Sequence, residues 1–295
     1  MQTPHSSPTP SRTLTSRRTL LTFIGAAVVA GPLVATQTAS AGQTASAGQT
    51  ASAGQTAARA GGLDDPAKKE IAMKLVCSAE NSSLDWKNYY RYIEDIDDGR
   101  GYTAGIIGFC SGTGDMLDLV ELYTRRKPGN VLAKYLPALR RVDGTDSHDG
   151  LDPNYPRDWA RAAADQAFQQ AQNDERDRVY FNPAVKQGKA DGIGVLGQFC
   201  YYDAIVMHGD GGDSTSFRNI RKRALRSATP PAQGGDEVAY LHAFLDARVW
   251  AMKQEEAHED TTRVDTAQRV FLNKRNLSLN TPLEWKVYGD SYRIG

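Results

Sequence analysis

From Asp65 onward, apolar residues recur at the three-and-four spacing of helices that bury one face. Asp65-Pro66 supplies a capping acid and a proline at the first helical position; Ile71, Leu75 and Val76 then share a face with Ala72 and Ala79. The predicted helix holds Glu80 in its last turn, where the macrodipole disfavours a carboxylate. Met116, Leu119, Val120 and Tyr123 mark a second helix from Asp115, stopped by Pro128-Gly129. Helical patterns continue at Val131–Arg141 and Asp158–Asp174, in one long stretch from Pro183 to Met207, and at Ser216–Ser227, Gly235–His258 and Asp265–Lys274. Tyr89 to Ile107 departs from this rhythm. Its aromatic and β-branched residues flank Asp97-Asp98-Gly99-Arg100-Gly101, which predicts a hairpin or small sheet around a glycine turn. The expected fold is mainly α, with one small β element.

Two charges interrupt the apolar stripes. Asp203 falls in line with Leu196, Phe199, Cys200 and Met207, and Arg248 with Leu241, Phe244, Leu245 and Met252. A lone buried charge is very costly, so the simplest reading pairs these two residues with one another. The alternative places either one at the edge of the core with its head in solvent.

The first 60 residues follow a different pattern. Arg17-Arg18 opens an apolar run that continues to about Val34, and Ala39-Ser40-Ala41 follows as a cleavage site, so residues 1–41 read as an export signal of twin-arginine type. Gly31-Pro32 breaks the run before it reaches the roughly 20 apolar residues of a membrane span. Ala-Ser-Ala-Gly-Gln-Thr repeats in tandem from Ala39, Ala45 and Ala51, so residues 42–60 read as a disordered tether, with the mature start between Gly42 and Gly61. Residues 61–295 read as the folded domain. The expected location is outside the cell.

Leader and tether carry Arg12, Arg17, Arg18 and Arg59 and no acid; without these four, the 35 basic residues opposing 35 acidic ones become 31. A mildly acidic domain lacks the basic footprint of a nucleic-acid binder and suits a cationic substrate. Cys77, Cys110 and Cys200 are too few for a disulfide scaffold; one bridge or three buried thiols both fit. No phosphate loop, nucleophile elbow, EF-hand or paired-histidine zinc motif is present, and neither a metal nor a cofactor is expected.

What remains is carboxylate chemistry. Inverting hydrolysis of a glycosidic bond needs an acid to protonate the leaving oxygen and, about 6.5–9.5 Å away, a carboxylate to activate water. Glu80 at a helix end and Asp98 at a glycine turn suit those roles, with the Thr103 hydroxyl to hold the water. On spacing alone the pair is weakly specified, since the chain offers 35 acids.

Longer words are more specific. Leu63-Asp64-Asp65-Pro66, Ser78 to Trp86, Asp98-Gly99-Arg100-Gly101-Tyr102-Thr103, Gly108 to Asp115, Gln169 to Tyr180, Gly197 to Gly209 and Arg263-Val264-Asp265 closely resemble the glycoside hydrolase family-46 chitosanases of Streptomyces type, across Gly62 to Tyr292. The resemblance implies a lysozyme-like α+β fold of two helical lobes, with a small sheet beside the substrate cleft. It implies a monomeric, endo-acting, inverting enzyme that cleaves β-1,4 bonds between glucosamine units of chitosan. By position, Glu80 matches the general acid, Asp98 the general base and Thr103 the water-orienting residue. Asp203, Arg248 and Arg263 match an ion network behind the acid. Tyr92, Arg100, Thr113, Asp115, His208, Glu255 and His258 match cleft-lining, substrate-binding positions. Two other readings stay in competition: a lysozyme-fold peptidoglycan hydrolase and a non-catalytic chitosan-binding protein.

Overall fold

The computed structural model describes residues 61–255 and 259–295; the export signal, the tether and His258 lie outside the described residues. Helix α1 (Pro66–Asn81) starts where expected, with the Asp65 carboxylate accepting from the backbone N–H groups of Ala67 and Lys68. It ends at Ser82, whose left-handed backbone turns the chain away directly after Glu80. A 3-10 turn (Trp86–Arg91) leads into an antiparallel sheet of β1 (Ile93–Asp95), β2 (Tyr102–Ala104) and β3 (Phe109–Cys110), in that spatial order. The glycine turn joins β1 to β2 as expected. The third strand adds Cys110 opposite Thr103.

Helices α2 (Asp115–Arg126), α3 (Leu136–Val142), α4 (Tyr155–Ala162) and α5 (Gln166–Arg176) follow. The single helix expected over 158–174 is two, because Asp165 turns its carboxylate onto the N–H of Ala167 and starts α5 afresh. Helix α5 runs through a π-turn (Asp177–Phe181) into α6 (Asn182–Asp191). The long helix expected from Pro183 to Met207 is also divided. Gly192 closes α6 in the left-handed region at φ 76°, and α7 (Val195–His208) begins after Gly194. Helices α8 (Phe217–Ala224), α9 (Glu237–Met252) and α10 (Arg269–Asn273) complete the helical part.

A second sheet corrects the expectation of a single β element. Strands β4 (Leu283–Val287) and β5 (Asp290–Ile294) form a hairpin about Tyr288-Gly289, both at positive φ, as a twisted two-residue turn requires. Leu283, Trp285 and Val287 point inward while Glu284 and Lys286 face solvent.

Two separate apolar clusters give the molecule its lobes. One gathers α1, α6 to α10 and the hairpin; the other gathers β1 to β3 and α2 to α5. The continuous helical stretch 166–191 crosses between them, with Phe168 and Ala171 in one cluster and Phe181 and Ala184 in the other. Trp86 packs against both. Its indole N–H donates to Glu70 and the Arg176 guanidinium lies 5.5 Å from its ring. Lys69 of α1 reaches Asp177 at 2.5 Å, tying the first helix to the crossing segment. The cysteines are buried thiols without a bridge. Among the described residues no helix is long and apolar enough to cross a membrane.

Candidate active site

The two carboxylates stand on opposite lobes: Glu80 ends α1, and Asp98 sits in the turn between β1 and β2. Glu80 Oε1 accepts from Arg263 Nη1 at 2.5 Å. Arg263 in turn grips both oxygens of Asp203, with Nε at 3.1 and 3.0 Å and Nη2 at 2.7 Å. From α9, Arg248 Nη1 donates to Asp203 Oδ2 at 2.6 Å, so the pairing expected from the two apolar stripes is present in a dry interior. Burial alone would raise the Asp203 carboxyl. The charges and hydrogen bonds of Arg263 and Arg248 outweigh it and hold the group well below the usual carboxylate range. Arg263 is shared between Glu80 and Asp203.

The C-terminal hairpin braces this arrangement. Trp285 Nε1 donates to Ser78 Oγ, two residues before Glu80, at 3.0 Å. The Tyr288 N–H donates to Thr262 Oγ1 at 3.0 Å, and Thr266 Oγ1 donates to the Lys286 carbonyl at 2.6 Å, on either side of Arg263. One small sheet thus holds both partners of the Glu80–Arg263 contact.

On the other lobe Arg100 folds back onto Asp98. Its backbone N–H donates to Oδ1 at 3.1 Å and its Nε to Oδ2 at 2.9 Å, with Nη2 on the same oxygen. The Asp98 side chain is only 2% exposed. Arg100 is therefore a direct partner of Asp98. Thr103 is buried on β2, and its hydroxyl meets Cys110 Sγ at 3.4 Å.

Asp115 opens α2. Its Oδ1 takes the Cys110 N–H at 2.9 Å, the Thr113 hydroxyl at 2.7 Å and the Met116 N–H at 3.0 Å. Burial pushes its carboxyl above the usual aspartate value, against those bonds. Tyr92 donates to Glu94 at 3.0 Å on the sheet's outer side. His208 ends α7 with its side chain buried, Nδ1 3.7 Å from Glu255 Oε1.

Residues not marked in the sequence complete the site. Gln268 Nε2 donates to Asp203 Oδ2 at 2.6 Å while its Oε1 accepts from Arg248 at 3.2 Å, closing the network. A buried amide on an apolar face was the available signal. Tyr180, on the π-turn, lies where Asp115, Cys110 and Arg100 of the other lobe act on it; burial and the Asp115 charge push its phenol up, so it stays a neutral donor. Only tertiary structure reveals that position. Among the described residues no group of three or more His, Cys, Asp or Glu side chains could hold a metal.

Comparison with known proteins agrees with this architecture. The family model described as glycosyl hydrolase family 46 matches residues 74–283. The chain is 70% identical over 233 residues to a chitosanase of Streptomyces sp. (strain N174), covering 79% of this chain and 84% of that protein. A solved chitosanase complex is 58% identical with a TM-score of 0.76, covering 79% of this chain and 99% of that one. The chitotetraose complex of the Gynuella sunshinyii family-46 chitosanase is 32% identical with a TM-score of 0.69, covering 77% and 97%. The mainly helical, lysozyme-like α+β fold with its small sheets follows this pattern, and the chain belongs to glycosyl hydrolase family 46.

Proposed function

We propose that this glycoside hydrolase cleaves β-1,4 bonds between glucosamine units of chitosan, endo-wise and with inversion. The enzyme is a chitosanase, as its high-identity relatives are. The observation that supports the finer mechanism is the placement of two carboxylates on opposite lobes, Glu80 tied to Arg263 and Asp98 to Arg100. Glu80 protonates the leaving glycosidic oxygen. Asp98 takes the proton of a water held with help from Thr103, and that water attacks the anomeric carbon from the opposite face. Arg263 positions Glu80, and Asp203 with Arg248 and Gln268 positions Arg263.

Asp115 binds a substrate ammonium: three donors occupy Oδ1, which leaves Oδ2 for the charge-assisted contact. Tyr92, Arg100, Thr113, His208 and Glu255 line the same cleft, and His258 is assigned to substrate by its place in the sequence alone. For Asp98 to meet water, Arg100 must yield part of its grip, and a sugar hydroxyl is the competing partner. The protein works as a secreted monomer. Its export by the twin-arginine route rests on Arg17-Arg18, the apolar run and the Ala-Ser-Ala sites.

Reducing-end release from highly deacetylated chitosan, with proton NMR of the first products, tests this reading. The expected initial product is the α-anomer, and Glu80→Gln and Asp98→Asn each lower kcat at least about a hundredfold. An initial β-anomer rejects inversion. Full activity in either variant moves that role to another residue. Cleavage of N-acetylated peptidoglycan in preference to chitosan, or binding without cleavage, would overturn the substrate assignment.

A further inference from the structure

The turn that carries Asp98 has a neck, and a ring of side chains closes it. Asp95 ends β1 and Tyr102 begins β2; the two are register partners, with residues 96–101 looping out between them. His148, from the connection between α3 and α4, lies flat on the Tyr102 ring, with centroids 3.9 Å apart and planes 8° from parallel. Its Nε2, shielded from solvent, is 3.0 Å from Asp95 Oδ2, in close polar contact rather than an in-line hydrogen bond. Its Nδ1 is 3.6 Å from Asp152 Oδ2, and the Tyr102 hydroxyl donates to the other oxygen of Asp152. Asp95 also acts on the turn itself, because its Oδ1 accepts the Asp97 N–H at 2.9 Å. One carboxylate therefore links His148 to the residue beside Asp98.

We propose that His148 is a positioning residue for the reaction: it clasps the neck of the 96–101 turn through Asp95 and Tyr102 and so holds Asp98 in place. This rests on the reading of Asp98 as the base. Each ring nitrogen of His148 faces one of the two flanking carboxylates, Nε2 toward Asp95 and Nδ1 toward Asp152. Burial and the charges of Asp152 and Asp95 push the Tyr102 phenol up, so it remains a donor and the ring of contacts stays closed. The turn needs such support because Asp97, Gly99 and Gly101 all sit at positive φ, and short loops of that kind open easily. His148 and Asp152 both come from the connection between α3 and α4, and of the two His148 is the one that reaches Asp95.

The test replaces His148 in the full chain with Gln, Leu and Asn. Gln places a donor where Nε2 reaches Asp95; Leu keeps bulk without a donor; Asn reaches only toward Asp152. The expected result is a kcat on chitosan about tenfold lower in His148→Leu and His148→Asn, with KM unchanged and substantial recovery in His148→Gln. Amide exchange in 96–101 should quicken in the first two variants and not elsewhere in the lobe. Exchange that stays slow in the turn, or rises throughout the lobe, overturns the proposal, as does faster exchange with unchanged kcat. Asp98→Asn run alongside separates the two ideas: activity surviving there removes Asp98 as base, while the exchange measurement still decides the clasp.

Discussion

Asp115 shows how a single residue can serve two ends. As the first residue of α2 it takes the open N–H of Met116 together with the Cys110 N–H of β3 and the Thr113 hydroxyl, and all three bonds fall on one oxygen. In the proposed reading the second oxygen takes the substrate ammonium, in surroundings that disfavour a lone charge and therefore reward a cationic partner. Asp115→Asn should raise KM for highly deacetylated chitosan roughly tenfold or more, since a charge-assisted contact contributes about 1.5–3 kcal/mol, and should lower kcat less. The pH dependence has a definite sign. Because the folded-state carboxyl lies above the ordinary 3.8, ammonium recognition is lost as pH falls through that raised value, earlier than for an exposed aspartate. Steady-state KM across pH 3 to 7 should therefore rise toward acid in the wild type and stay flatter in Asp115→Asn.

At the scale of elements, the breaks matter as much as the helices. Gly192 ends α6 in the left-handed region, and a Cβ there would lie 2.8 Å from the Ala232 backbone nitrogen. That break lets α7 run in a new direction and carry Asp203 into the interior, where it meets Arg248 and Arg263. Gly192→Ala should cost roughly 1–2 kcal/mol for the backbone conformation alone, with the close approach adding to it. The urea midpoint should fall while the slope stays constant. A midpoint equal to the wild type would mean that the connection relaxes freely. The C-terminal hairpin teaches a related lesson: five residues per strand suffice to pin the end of α1 and the segment around Arg263, because β4 and the turn after it donate or accept at specific side chains.

For the whole molecule, the decisive feature is that two apolar clusters share one crossing helical stretch and one tryptophan. Glu80 and Asp98 stand on different lobes, so under the proposed mechanism lobe coupling bears on catalysis. Removing Trp86 takes packing from both clusters and leaves Glu70 and Arg176 without their ring contact. Trp86→Ala should destabilise by about 2 kcal/mol and separate the unfolding transitions seen by far-ultraviolet and near-ultraviolet circular dichroism. Coincident transitions would show that the crossing stretch alone couples the lobes.

The sequence by itself determined most helices, the capped start of α1, the glycine turn around Asp98 and the pairing of Asp203 with Arg248. Each follows from a local rule: periodic burial, a side chain bonding its own backbone, or the prohibitive cost of a lone interior charge. The catalytic and network assignments for Glu80, Thr103 and Arg263 came from long matching words rather than from spacing. The alternation Leu283-Glu284-Trp285-Lys286-Val287 was also legible, and read as a strand it would have supplied the missed hairpin. The divided helices were harder, since apolar periodicity continues on both sides of Ala163 and Gly192 and hides the break. Only the tertiary structure decided that Arg263 meets Glu80 across 183 residues of chain, that Gln268 closes the network, that Arg100 folds onto Asp98, and that Tyr180 and His148 stand beside the catalytic elements. The physical reason is that closing a long loop costs little more than closing a short one. Sequence separation therefore hardly restricts which distant side chains meet, and the packing of the two lobes makes that choice.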